Sequence, residues 1–141
     1  MSSVRITLVI SSLSGGGAER VISIVANHWA KAAHQITLLT FDGKNSPHYH
    51  ISESIQWHAL NISSQSKSWI DGLINNLKRI HVLRKFILQS EPDCVISFLY
   101  STNILVLLAT RFLSCKIIIS ERNYPKYSKN NPLIWEWLRR G

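Results

Sequence analysis

A chain of 141 residues that is 45% apolar is long enough for one packed domain and too hydrophobic for an intrinsically disordered segment. Its two cysteines, Cys94 and Cys115, lack CxxC or metal-ligand spacing, which argues against a disulfide scaffold or a zinc module and for a reduced compartment. The net charge of +8 is concentrated: residues 67–90 carry five basic side chains against one acidic, and residues 116–141 carry six against two. Two basic regions on an otherwise neutral chain suggest an anionic partner (a membrane surface, a phosphorylated substrate or nucleic acid), with a solvated basic face as the competing reading.

The chain opens on Val4–Ser11 (VRITLVIS), apolar or β-branched at nearly every position, which predicts a strand buried on both faces of a parallel sheet. The glycine-rich turn Ser12-Leu13-Ser14-Gly15-Gly16-Gly17-Ala18-Glu19-Arg20 follows. Beyond it Ala18, Val21, Ile22, Val25, Ala26 and Trp29 recur at three-four spacing and give one apolar helix face. Three adjacent glycines permit positive φ and let a ligand approach bare amides, and the helix start adds unpaired N–H groups and a positive dipole end. Ser14, Gly15, Gly16 and Gly17 are therefore candidate substrate-binding residues suited to phosphate or another anion; the alternative is a tight turn with no ligand. It is not a Walker loop, because no Gly-Lys-Ser/Thr follows, and Arg20 stands where a dinucleotide fingerprint needs glycine or alanine.

Gln35–Phe41 reads as the second strand, with His34 at the helix-strand corner in a capping role. Asp42–Ser54 is a polar loop; its His48 and His50, with His58 beyond, are expected to be exposed rather than metal ligands. Ile55–Leu60 alternates and predicts a third strand nearer an edge. After a Ser-rich connector, a long helix runs from about Lys67 to Ser90. Ile70, Leu73, Ile74, Leu77, Ile80, Ile87 and Leu88 are expected to form its apolar face against the sheet, and Lys78, Arg79, Arg84 and Lys85 a cationic flank. Glu91-Pro92-Asp93 ends it. A basic amphipathic helix with Trp69 near its start suits an anionic lipid surface; an ordinary crossover helix is the alternative.

Asp93–Phe98 predicts strand four, Thr102–Leu113 the helix after it, and Cys115–Ser120 strand five. Tyr100, Ser101, Thr102 and Asn103 fall in the turn at the carboxyl end of strand four, and Glu121, Arg122 and Asn123 follow strand five. The order strand, helix, strand, strand, helix, strand, helix, strand is that of a doubly wound parallel α/β sheet, whose ligands bind outside the carboxyl ends of the strands. Pro132–Gly141 (PLIWEWLRRG) reads as a short helix whose Trp135 and Trp137 are expected to be exposed and sticky. No run reaches the roughly 20 apolar residues of a membrane span, and the Ile6–Ile10 run is too short for a signal peptide, so a cytoplasmic location is expected.

SSLSGGGAERVISIVANHWAKAAHQITLLTF resembles the opening of family 4 glycosyltransferases, retaining nucleotide-sugar-dependent enzymes of the two-domain GT-B fold. The resemblance continues in Pro92-Asp93-Cys94-Val95-Ile96-Ser97-Phe98, in Ser101-Thr102-Asn103 and in Ile118-Ile119-Ser120-Glu121-Arg122-Asn123. It covers residues 1–141 as the Rossmann-like, acceptor-side half of a GT-B architecture, and implies that this half is incomplete at its C-terminus. Two departures stand out. Family members often have Gly where this chain has Ala33, and many have a histidine about where it has Glu121.

The resemblance implies transfer of a sugar from a nucleotide diphosphate sugar, as co-substrate, to a lipid-linked or surface-polysaccharide acceptor at the inner membrane face. No metal and no further cofactor are expected. Tyr100, Ser101, Thr102, Asn103, Arg122 and Asn123 would shape the acceptor pocket. Arg122 suits phosphate oxygens, and Glu121 suits either a general base or a sugar hydrogen bond, with a local salt bridge as the alternative for both. Lys78, Arg79, Arg84 and Lys85 would face the membrane. Alone, the chain is expected to be inactive, because the donor-site carboxylates belong to the other half. The rival is a non-catalytic Rossmann-like binding module docking on an anionic membrane or partner protein. Nucleic acid is disfavoured, since the basic regions lack an aromatic stacking pattern.

Overall fold

A computed structural model describes residues 2–43, 47–63 and 68–121. In chain order the elements are β1 (Arg5–Ile10), α1 (Gly17–Lys31), β2 (Gln35–Thr40), β3 (Gln56–Ala59), α2 (Trp69–Ser90), β4 (Cys94–Phe98), α3 (Tyr100–Ala109) and β5 (Lys116–Ser120). All strand pairs are parallel and the sheet order is β3-β2-β1-β4-β5. This is the α/β Rossmann-like, doubly wound sheet that the pattern predicts. Alternation along each strand divides the core in two. Leu8, Ile10, Ile36, Leu38 and Ile96 pack under α1 through Ile22 and Ala26, while Val9, Leu39 and Val95 pack under α2 and α3 through Leu83, Ile87, Leu105 and Val106. The order reverses direction at β1, so the crevice between the carboxyl ends of β1 and β4 is the topological switch point where such sheets take ligands.

The amino edge is closed by charge. The Arg5 amide donates to Asp93 Oδ2 at 2.9 Å, and the Arg5 guanidinium reaches Asp93 and Glu91 at 3.3 and 2.8 Å. The Arg5 amide and guanidinium bonds hold the Asp93 carboxyl below its ordinary range. Ala33 takes φ 64°, the left-handed conformation that glycine adopts more easily, and the His34 ring accepts from the Val4 amide at 3.2 Å. His48, His50 and His58 are all exposed.

Two expectations need correction. α3 begins at Tyr100 and ends at Ala109, because Leu99 turns the chain with φ 74° and Phe112 turns it again with φ 67°. Tyr100–Asn103 are thus the first helical turn rather than a loop. The apolar face of α2 is not buried along its length: Leu83 and Ile87 are buried and Ile80 is half-buried, whereas Ile70, Leu73, Ile74, Leu77 and Leu88 are exposed. For the first four the reason is length, whereas Leu88, beside the buried Ile87, lies on another side of the helix. A 22-residue helix runs about 33 Å, against about 17 Å for a five-residue strand such as β4. The Ser90 hydroxyl sits 2.7 Å from that of Thr7 near the start of β1, so the overhanging first turns project past the carboxyl edge. No described helix is long and apolar enough to cross a membrane. The segment 132–141, with Trp135 and Trp137, lies outside the described residues.

Candidate functional site

The glycine turn is built by close approach. Gly15 has φ 111°, and a Cβ there would meet Cγ of the His48 ring at 2.8 Å; the His48 amide in turn donates to the Leu13 carbonyl at 2.9 Å. Gly16 is the N-cap of α1 in an extended conformation with no side-chain cap, and a Cβ on it would collide with Oε2 of Glu19. Gly17 is open: a Cβ there would meet nothing within 4 Å. Gly15 is therefore demanded by its backbone and the His48 ring, a Cβ on Gly16 need only displace the flexible end of Glu19, and Gly17 leaves bare backbone facing solvent.

Glu19 changes the chemistry of the turn. Its carboxylate lies against the Gly16 backbone at the N-terminus of α1, so the positive end of that helix already faces an anion of its own. The Ser12 and Ser14 hydroxyls are 2.9 Å apart, and Ser12 reaches Glu19 Oε1 at 3.5 Å. Hydroxyls and a carboxylate beside open amides suit the hydroxyl groups of a sugar better than a second anion.

Across the switch point, Ser97 Oγ donates to Asn103 Oδ1 at 2.7 Å, and Asn103 Nδ2 donates to the Ser120 carbonyl at 3.2 Å, which the Leu99 amide also reaches at 3.2 Å. Asn103 is buried and ties β4, α3 and β5 together. Replacing it with alanine strands the buried Ser97 hydroxyl, and a loss of about 2 kcal/mol in urea unfolding is expected. Thr102 is buried as well, its Oγ1 without a partner among the described residues. Tyr100 is half-buried and Ser101 is exposed.

Glu121 is exposed at the end of β5, separated from the glycine turn by the width of β4. Arg122 and Asn123 lie outside the described residues. The four basic residues of α2 divide. Lys78 and Lys85 are exposed, but Arg79 donates through Nε to the Ile62 carbonyl at 2.9 Å, and Arg84 Nη1 donates to the carbonyls of Ala109 and Arg111 at 2.8 and 2.9 Å. Arg84 thereby caps α3 instead of presenting its charge to a surface. Sequence reasoning missed Glu19, since with glycine at the N-cap the sequence carries only the glutamate half of a capping box.

A parallel sheet with a glycine turn, hydroxyls and a carboxylate gathered beside its switch point defines a Rossmann-like domain. The chain belongs to Glycosyltransferase Family 4, whose profile matches residues 15–141. It is 32% identical over 141 residues to the GalNAc-alpha-(1->4)-GalNAc-alpha-(1->3)-diNAcBac-PP-undecaprenol alpha-1,4-N-acetyl-D-galactosaminyltransferase of Campylobacter jejuni subsp. jejuni serotype O:2 (strain ATCC 700819 / NCTC 11168). That match covers 97% of this chain and 37% of the relative, so the chain spans little more than a third of the length of that protein. In fold it is similar to a glycosyltransferase from Rickettsia africae ESF-5, with a TM-score of 0.62 and 19% identity over 84% of this chain and 30% of the other.

Proposed function

We propose that this chain is the acceptor-side half of a retaining glycosyltransferase that moves a sugar from a nucleotide diphosphate sugar to a lipid-linked saccharide. The observation that carries the reading is the 32% identity, across nearly the whole chain, to a transferase named for an undecaprenol-PP-linked acceptor. The site chemistry agrees with it. Ser12, Ser14 and Glu19 offer acceptors and donors for sugar hydroxyls, and the open backbone at Gly17 lets a hydroxyl come close. Glu121, at the end of β5, is assigned to the same edge as a hydrogen-bond acceptor or general base. The leaving diphosphate is stabilised by backbone amides and cationic side chains of the assembled cleft.

The same reading gives α2 a purpose. Trp69, Ile70, Leu73, Ile74 and Leu77 form an exposed apolar stripe on the turns that overrun the carboxyl edge, with Lys78 exposed beside it. A helix with this pattern lies in the interface of an anionic membrane, its apolar side chains among the acyl chains and its lysines among the headgroups. The site edge then faces the surface in which a lipid-linked acceptor is anchored.

Binding to nanodiscs tests the proposal. Discs carrying a polyprenyl-diphosphate-linked oligosaccharide are expected to bind the chain at least tenfold more tightly than discs of the same lipids with the polyprenyl diphosphate alone. Equal affinity for the two would reject acceptor recognition and favour a non-catalytic module that docks on the membrane.

A further inference from the structure

We infer that Asp42 is a second sugar-binding residue of this edge, its carboxylate accepting hydrogen bonds from a vicinal diol, and that it selects among acceptors by the configuration of those hydroxyls. The inference rests on the acceptor-side reading above and extends it to the carboxyl end of β2.

Asp42 follows β2 directly, and its backbone is held: its amide donates to the Ser11 carbonyl at 3.2 Å, and its carbonyl accepts from the Asn61 amide at 3.3 Å. Along β2, Ile36 and Leu38 face α1, and Thr40 accepts from Trp57 Nε1 on that same face. Continued alternation puts Asp42 there too, one strand over from the turn that carries Ser12, Ser14 and Glu19. The carboxylate itself is not held. It has no hydrogen bond or ion pair among the described residues, and its Oδ1 is buried without a partner.

That is costly for a fold and useful for a site. A desolvated carboxylate oxygen without a donor destabilises the folded chain. Asp93, at the other end of the sheet, shows how this fold neutralises a structural carboxylate: an amide and a guanidinium both donate to it. Asp42 has neither. Both oxygens of a carboxylate accept, so two adjacent hydroxyls can satisfy it at once. A carboxylate near the end of the second strand of a βαβ unit hydrogen-bonds a ribose hydroxyl in dinucleotide-binding folds, so this position is one from which a carboxylate reaches a sugar. Two sources share that chemistry here: the terminal sugar of the acceptor and the ribose of a nucleoside diphosphate. We assign the acceptor sugar, because Ser12, Ser14 and Glu19 lie on the same edge.

Saturation-transfer NMR and calorimetry on the full chain separate the outcomes, with methyl N-acetyl-α-galactosaminide, its 4-deoxy counterpart and UDP as probes. Wild type is expected to bind the glycoside, with the 4-deoxy compound at least fivefold weaker. Asp42→Asn is expected to weaken the glycoside at least tenfold, to erase the preference for the intact diol and to leave UDP unaffected. Asp42→Ala is expected to melt at or above the wild-type temperature, since it removes an unpaired buried oxygen. Equal glycoside affinity in wild type and Asp42→Asn overturns the role of Asp42 while the acceptor-side reading stands. So does a lower melting temperature in Asp42→Ala with binding intact, the mark of a structural carboxylate. Loss of UDP binding alone assigns the diol site to a ribose and overturns our assignment to the acceptor. No glycoside binding by wild type overturns both readings together.

Discussion

Gly15→Ala is expected to destabilise the chain by about 3 kcal/mol, lowering Tm by roughly 10 °C in a calorimetric scan, and to abolish sugar binding. A φ of 111° lies outside the left-handed basin that L residues tolerate, and the new methyl group would stand 2.8 Å from Cγ of His48. Either the turn or the 47–50 segment must move, and both belong to the site edge. Gly17→Ala is the informative contrast. It occupies the first position of α1 with open space around it, so the substitution is expected to be neutral or to stabilise by a few tenths of a kcal/mol. Its binding of a soluble glycoside is nevertheless expected to fall at least tenfold, because the methyl group fills the space through which a ligand reaches the backbone. A Gly17→Ala chain that binds like wild type would show that the ligand never approaches this turn.

The second large effect is expected on α2. Replacing Leu73 and Leu77 by serine removes two side chains that are 56% and 59% exposed, and is expected to reduce partition onto anionic vesicles by tenfold or more. Stability in denaturant is expected to stay within about 0.5 kcal/mol of wild type, since neither leucine packs on the sheet. Lys78→Glu with Lys85→Glu is expected to lower affinity at low ionic strength and to flatten the salt dependence of what remains. Arg84 is the wrong residue for this purpose. Its guanidinium holds two carbonyls at the end of α3, so its loss would register as unfolding rather than undocking. Unchanged vesicle binding in the leucine variant would leave the exposed stripe for a protein surface instead.

Legibility followed the range of the forces involved. The β1–turn–α1 unit was readable because its signals are local: a run of buried β-branched residues, three glycines and a three-four apolar repeat. The end of α2 was readable for the same reason, since proline excludes the helical conformation from the residue before it. The start of α3 was less so, because Leu99 at φ 74° is held by the hydrogen bond its N–H donates to the carbonyl of Ser120, which lies 21 residues further on. Its neighbours alone place Asn103 among the candidate sugar ligands and say nothing of its role as a brace. Its bonds to Ser97 and Ser120 come from pairing β4 with β5, which no local pattern encodes.

Hydrophobic periodicity and turn chemistry were sufficient for the order of elements and the parallel sheet, because each depends on residues within a few positions of one another, and the family was legible from the resemblance of three separated motifs. Which polar residues are spent on the fold and which are left over depended on long-range packing. Asp93 and Asp42 both flank parallel strands. One is neutralised by Arg5, 88 residues away, and the other meets no donor among the described residues. The exposed first turns of α2 arise likewise from the mismatch between helix length and sheet height, since burial ends where the sheet does. Distance in the folded chain, not residue type, separates the braced carboxylate from the one that no described residue braces.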